Sequence, residues 1–490
     1  MDIVIGKYTL ETLTSGMYER PRDIYREYIQ NAVDSIDVAI DEKLISKEKA
    51  RIDLEISPDT RQVIISDNGT GISINDAPRY LLDIGCSPKR FTGARGFRGI
   101  GRLAGLAYCQ TLVFETSAFG EEKRTVVEFN AKSLCERMMN SEFDTDLLSL
   151  VSDVVNIKQE QEARTSHYFR VILTGVEETD GLLDVHMVRA YLEQVAPVDF
   201  GASFGWGKII KSKLRAFNFS LANYSIYIGS KTSRSPIQKS YKDIFISDRL
   251  RKLEDGITDI DTREFLYDGE VIAYLWYAKT SFFGTLRDDA IKGIRVRKGN
   301  ILIGDKITLN HIFKDERFNG WLFGELHLIS PKLIPNARRD EVEKSTAYYS
   351  LINDLREWAD GISSEIRKTS NQRSLDKKSQ RIIELVQRDS VLDVEEIAVT
   401  VMPEIVLLDH NETEELNHAQ LVAALDHLIC TQTSNTKYKA LNFQTKITIE
   451  QKRVLERVFD IICEKYNQQS NGLITEIIRD FVAERPPKGI

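Results

Sequence analysis

Glu27, Asn31 and Asp34 stand at i, i+4 and i+7 in the run Glu-Tyr-Ile-Gln-Asn-Ala-Val-Asp. On a helix these positions fall along one stripe, so a carboxylate, an amide and a second carboxylate would project from one face. The opposite face carries Tyr28, Ile29, Ala32, Val33 and Ile36, which suits packing on a sheet. Three polar groups in register on a half-apolar helix can hold a hydrated divalent cation and activate a water. Alone, such a stripe is more often a solvated helix face.

Two further signals follow in order. Arg61-Gln-Val-Ile-Ile-Ser-Asp67 reads as a short buried strand ending at a carboxylate. In the next residues, Asn68-Gly69-Thr70-Gly71, glycines permit positive φ and close backbone approach to a ligand. Farther on, Gly96, Gly99, Gly101 and Gly105 precede the apolar run Leu106-Ala107-Tyr108. Glycines there leave backbone N–H groups free at a helix start, a ready place for phosphate oxygens. Each signal is weak by itself; their order and spacing together are specific.

The ordered set resembles the GHKL superfamily: type II topoisomerase ATPase subunits, the ninety-kilodalton heat-shock chaperones, sensor histidine kinases and MutL. The superfamily's first box, Glu-x-x-x-Asn-x-x-Asp, is met by Glu27, Asn31 and Asp34. Its Asp-x-Gly-x-Gly box is met by Asp67, Gly69 and Gly71, and its Gly-x-x-Gly-x-Gly box by Gly96, Gly99 and Gly101. The resemblance implies a Bergerat fold, an α/β sandwich that binds ATP between helices and a mixed sheet under a lid at roughly residues 72–98. It implies Glu27 as the general base and Asn31 as the Mg²⁺ ligand. Asp67 would accept a hydrogen bond from the adenine amine, and Gly71 would let the purine lie against the backbone. The third glycine box would present N–H groups to the phosphates.

A second clue lies at Leu333-Ile-Pro-Asn336-Ala-Arg338-Arg339-Asp340, after the strand-like Gly324-Glu-Leu-His-Leu-Ile. It resembles the middle-domain loop with which the ninety-kilodalton chaperones send an arginine to the γ-phosphate. Asn336 and Arg339 fit that loop, Asp340 stands where glutamate is usual, and Arg338 competes for the same role. Lys298, in the alternating run Gly293–Asn300, is a further candidate to reach the nucleotide, with a solvated strand face as the alternative.

Composition sets limits. At 490 residues the chain suffices for two or three domains with full cores. No apolar run approaches membrane-helix length, and the start lacks a signal-peptide layout. Five cysteines, Cys86, Cys109, Cys135, Cys430 and Cys463, form no CxxC pair, which argues against a structural zinc site and for a reducing compartment, the cytoplasm.

The expected architecture is α/β (α+β) in three parts. Residues 1–180 form the ATP-binding domain, with a helix over 20–40, paired strands at 51–57 and 61–66, a helix over 100–108, and strands near 111–118, 124–130 and 168–174. Residues 181–345 form a transducer-like α/β domain carrying the arginine loop, with a helix at Val185–Val195 and strands at 224–228, 270–278, 294–303 and 320–329. Residues 346–490 are mostly helical, interrupted by a linker near 370–381, and are assigned to dimerisation by resemblance.

Three function classes follow. A sensor histidine kinase needs an acceptor histidine before the ATP domain, whereas the first histidine here is His167, beyond all three boxes. A chaperone-like ATP-gated clamp, acting as a homodimer on protein clients, fits the arginine loop and the net charge of −8. The rival is a nucleic-acid clamp of the MutL, MORC or topoisomerase sort. Lys208, Lys211, Lys213, Arg215, Lys231, Arg234, Lys239 and Lys242 stand among Phe204, Trp206, Phe217 and Tyr224 with no acidic residue between, the composition of a basic groove with stacking rings. Aromatics at strand spacing are more often core.

Overall fold

The computed structural model describes residues 20–83, 101–139, 147–248 and 252–388. The first expected helix forms as α1 (Asp23–Asp41). Its Ile24, Tyr25, Tyr28, Ile29, Ala32, Val33 and Ile36 recur at helical spacing and are all buried, giving a stripe wide enough to lie on a sheet. The helix ends where Lys43 takes φ +60° and donates its N–H to the Ile40 carbonyl.

β1 (Arg51–Ser57) and β2 (Gln62–Asp67) form the expected hairpin, and alternate residues of each are buried beneath α1. After α2 (Ala77–Leu82), the helix expected over 100–108 is a 3-10 turn, Gly101–Ala107. A Cβ at Gly101 would collide with the Glu27 carboxylate, and one at Gly105 with the Tyr28 hydroxyl. The tighter winding thus sets backbone directly against α1.

The sheet continues through β3 (Thr111–Ser117), β4 (Lys123–Asn130), α3 (Ala131–Met139), α4 (Leu147–Val154), β5 (Val155–Gln161) and β6 (Tyr168–Thr174). Next come α5 (Val185–Val195), α6 (Gly207–Ala216), β7 (Ser225–Gly229) and β8 (Arg234–Pro236). Asp184 caps α5, its Oδ1 accepting the N–H groups of His186 and Met187 at 2.8 and 3.1 Å. The strand order is β5-β4-β3-β6-β2-β1-β7-β8, with β1 and β7 parallel. This first sheet therefore reaches beyond the boundary expected at residue 180.

A second, six-stranded sheet holds β9 (Ile244–Ser247), β10 (Leu253–Tyr267), β11 (Glu270–Thr280), β12 (Gly293–Lys298), β13 (Ile301–Ile303) and β14 (Phe323–Leu328). Its order is β13-β12-β14-β11-β10-β9. The strand expected over 294–303 is two strands, because Gly299 and Asn300 take φ of +55° and +63° and turn the chain back as a two-residue hairpin. α7 (Thr346–Arg388) runs through the expected linker at 370–381. That stretch is polar but holds neither glycine nor proline, so nothing in it stops a helix.

The proposed basic groove does not form as one. Phe200, Phe204, Tyr241, Phe245, Trp276 and Phe323 make an aromatic core, with Trp206 and Phe217 packed against it. Lys211 pairs with Asp199, Lys213 with Asp259, Arg234 with Asp53 and Glu55, and Lys242 with Asp288. Lys239 is buried. Lys208, Arg215 and Lys231 remain exposed. The rings thus serve packing, and acidic residues distant in sequence neutralise most of the run.

Lys239 belongs to a buried cluster around Glu325 in β14. Both Glu325 oxygens accept from Lys239 Nζ, at 2.9 and 2.7 Å. Tyr241 and Trp276 donate to the same carboxylate, Arg297 pairs with it at 2.5 Å, and His327 Nε2 lies 3.1 Å away. Arg297 also donates to the Gln194 carbonyl at 2.7 Å, and Asn300 to the Ala222 carbonyl at 2.8 Å. One desolvated carboxylate thereby ties three strands of the second sheet to segments that flank the first. Both sheets belong to one compact unit ending at Ser363. No helix among the described residues is long and apolar enough to cross a membrane.

Candidate nucleotide site

α1 carries the first box where the stripe places it. Glu27 and Asp34 are buried and Asn31 is half-buried, with no hydrogen bond from the Asn31 side chain among the described residues. Tyr28 fixes the helix to the 3-10 turn: its hydroxyl donates to the Arg102 carbonyl at 3.2 Å and accepts from Gly105 N–H at 3.0 Å. Gly101 backs directly onto Glu27, so this third-box glycine and the first-box carboxylate are in contact. Gly96 and Gly99 lie outside the described residues. Arg102 is buried, donating to the carbonyls of Leu81 and Asp83 at the end of α2, with its guanidinium over the Tyr80 ring.

Asp67 ends β2 with its carboxylate buried, and Oδ1 accepts the Gly69 N–H at 2.9 Å. Gly69 faces Ser35 of α1, where a Cβ would strike the hydroxyl; Ser35 Oγ accepts the Thr70 N–H at 3.1 Å. Gly71 takes φ +64°, and a Cβ there would collide with the Ser117 carbonyl and crowd that of Tyr168. The missing side chain at Gly71 makes room for the neighbouring strands β3 and β6.

The arginine loop reaches α1. Arg339 Nε stands 3.1 Å from Glu27 Oε1, with both side chains largely buried. One residue back on the helix, Arg26 Nη2 donates to the Arg338 carbonyl at 3.0 Å. Consecutive residues of α1 thus hold consecutive residues of the loop. Arg339, not its neighbour, brings its guanidinium to Glu27. Asn336 staples the loop internally: Nδ2 donates to Asp340 Oδ1 at 2.5 Å, Oδ1 accepts Asp340 N–H at 3.2 Å, and its carbonyl accepts Arg339 N–H at 3.2 Å. Arg339 itself sits at φ +57°. Lys298, the other candidate, donates to the Ser330 carbonyl at 2.5 Å, and burial pushes its ammonium down to about 8. Its partner is the chain leaving β14, so its position serves the approach to the loop.

Sequence reasoning missed Arg26, Tyr28 and His167. Arg26 and Tyr28 work through backbone groups remote in sequence, which spacing cannot reveal. His167 Nδ1 lies 2.7 Å from the Gly69 carbonyl.

The donor set fits Mg²⁺ held chiefly by phosphate and water. Among the described residues no group of three or more His, Cys, Asp or Glu side chains could hold a metal. The half-buried Asn31 amide oxygen is the hard donor that such an ion takes. No curated protein matches this chain. Residues 23–158 match the family model described as histidine kinase-, DNA gyrase B-, and HSP90-like ATPase. That span covers α1, the Asp67 loop and the Gly101 turn, and the chain therefore carries a GHKL-type ATPase domain at residues 23–158, which implies ATP binding and hydrolysis.

Proposed function

We propose that this protein is an ATP-gated conformational clamp that acts on a protein partner, with Glu27 as general base and Arg339 as the residue that meets the γ-phosphate. The Glu27–Arg339 contact carries the reading, because it brings the loop from residues 336–340 to the helix of the ATPase domain. Water held by Glu27 would attack the γ-phosphorus as the bond to the β–γ bridging oxygen breaks. The water proton passes to Glu27, and the electron pair leaves on ADP. Arg339 would turn from the carboxylate to the γ-phosphate oxygens and offset their charge. Asn31 would hold Mg²⁺, which when bound neutralises phosphate charge. Asp67 would accept from the adenine amine, Asp34, Gly69 and Gly71 would shape the pocket, and Gly96, Gly99 and Gly101 would lie along the phosphates. Lys298 would steady the arginine loop.

Exchanging one ion pair for another couples nucleotide to the seating of the loop, so turnover reports conformation and should be slow. Homodimerisation through residues 346–490 would make two such units a clamp. A protein partner is favoured over nucleic acid because the rings of the 200–242 stretch are core and most of its cations are paired. The test is the ATPase rate of purified protein with unfolded protein, DNA or RNA added. Stimulation by protein supports the clamp as stated. Stimulation by DNA or RNA, with binding that falls steeply between about 50 and 200 mM salt, would replace it with a nucleic-acid clamp.

A further inference from the structure

The loop that follows Asp67 links its carboxylate to a second side chain through one glycine. Gly69 donates its N–H to Asp67 Oδ1 at 2.9 Å, and its carbonyl lies 2.7 Å from His167 Nδ1. A carbonyl oxygen only accepts, so Nδ1 carries the proton, and in that single-proton tautomer Nε2 is the lone-pair acceptor. Register brings the two segments together: Asp67 pairs with Phe169 across β2 and β6, and His167 immediately precedes β6, two residues before Phe169. His167 is half-buried, and Nε2 has no hydrogen bond among the described residues. Phe119, in the turn after β3, stands edge-on to the imidazole with centroids 6.3 Å apart. It is 58% exposed, which the core does not explain.

We infer that His167 is a base-specificity residue of the ATP site, its Nε2 accepting one hydrogen of the adenine amine while Asp67 takes the other, with Phe119 screening that bond from water. The inference rests on the ATP reading and extends it. An exocyclic amine offers two hydrogens, and two acceptors held by one glycine would claim both. A 6-oxo purine would set its own acceptor against them, leaving three acceptors with no proton to share. Asp67 alone discriminates through one bond; the histidine adds a second.

The experiment measures binding of ATP, GTP and purine riboside triphosphate, which lacks any 6-substituent, to the full chain by calorimetry. The proteins are wild type, His167→Phe, His167→Gln and Phe119→Ala. His167→Phe keeps a ring against Phe119 but removes the acceptor. It should narrow the preference for ATP over purine riboside triphosphate by about three- to tenfold, the size of one neutral hydrogen bond, with the analogue itself changed less than about twofold. His167→Gln, which can donate to Gly69 and still accept, should restore part of the preference. Phe119→Ala, at an exposed position, should narrow it in the same direction. Equal weakening of all three nucleotides in the His167 variants would make the residue structural and overturn the inference, as would unchanged discrimination in both His167→Phe and Phe119→Ala. A wild type that binds none of the three would instead remove the ATP reading beneath it.

Discussion

Arg339 Nε and Glu27 Oε1 stand 3.1 Å apart, joining a loop that follows the second sheet to the helix that opens the first. The carboxylate proposed to activate water is thus held by the cation proposed to meet the γ-phosphate. Each group offsets the charge of the other in a largely buried place, with Arg26 Nε a further 4.0 Å neighbour of the same Glu27 oxygen. Phosphate oxygens arriving beside Arg339 would compete for the same guanidinium and free the base, which links the chemistry to substrate without a separate sensor.

Arg339→Ala should lower turnover by about 10²-fold or more while ATP affinity stays within a few-fold, since charge stabilisation is lost mainly in the transition state. Arg338→Ala should have little effect, because that residue offers α1 its carbonyl and not its guanidinium. Arg26→Ala should fall between them, since the loop would lose its backbone contact with that side chain of α1. Steady-state phosphate release and calorimetric ATP titration together check the order; a larger defect for Arg338→Ala would contradict it.

Gly71→Ala should destabilise the fold by about 2 kcal/mol or more, because it combines a positive φ with a collision against the Ser117 carbonyl. Gly120→Ala offers a control: φ there is +93° but a Cβ would meet nothing, so its cost should be the smaller. Denaturant melts monitored by circular dichroism measure both, and equal losses would sink the argument from crowding.

The Glu325 cluster makes a prediction about charge and pH. Glu325→Ala should destabilise by about 3–5 kcal/mol, because it strands Lys239 and Arg297 in the core. Lys239→Met should cost less, since Arg297 still faces the carboxylate. Burial pushes His327 down to about 4 from its ordinary 6.5. Between those values the unfolded chain takes up a proton that the folded chain refuses. Stability should therefore fall as pH drops through that window, by up to about 1.4 kcal/mol per pH unit from this residue. Lys239 is likewise pushed down to about 7 from 10.5 by burial, so its contribution rises with pH across that higher range. His327→Phe should flatten the acid slope; an unchanged slope in denaturant melts at pH 4 to 7 would contradict the assignment.

Elements that bury one face in step were legible in the sequence. α1, β1 and β2 show clean periodicities of helix and strand, and the boxes they carry came with them. β10 did not: its buried residues Asp255, Ile260 and Phe265 stand five apart, with an irregularity at Ile257/Asp259 between the first two and an odd spacing in unbroken register between the last two. β5 was missed because it is exposed nearly throughout. At the site, residue type and spacing singled out Glu27 and Asp67 and a resemblance singled out Arg339, and the fold brings Glu27 and Arg339 together. Gly71 was legible as a place of close approach, but the strand carbonyls of Ser117 and Tyr168 packed there were not, since a glycine's tolerance for approach does not say what approaches. Arg26 and His167 were missed because their partners, the carbonyls of Arg338 and Gly69, leave no mark on side-chain patterns.

The measurement that bears most directly on this account is single-turnover release of γ-phosphate from Mg-ATP by the wild-type chain and by Glu27→Gln, with ATP affinity measured alongside. Glu27→Gln keeps the side-chain shape beside Gly101 and removes the base. ATP binding should persist within a few-fold while release slows by about 10²- to 10⁴-fold. Equal rates for the two proteins would contradict it, and another group would then have to take the proton.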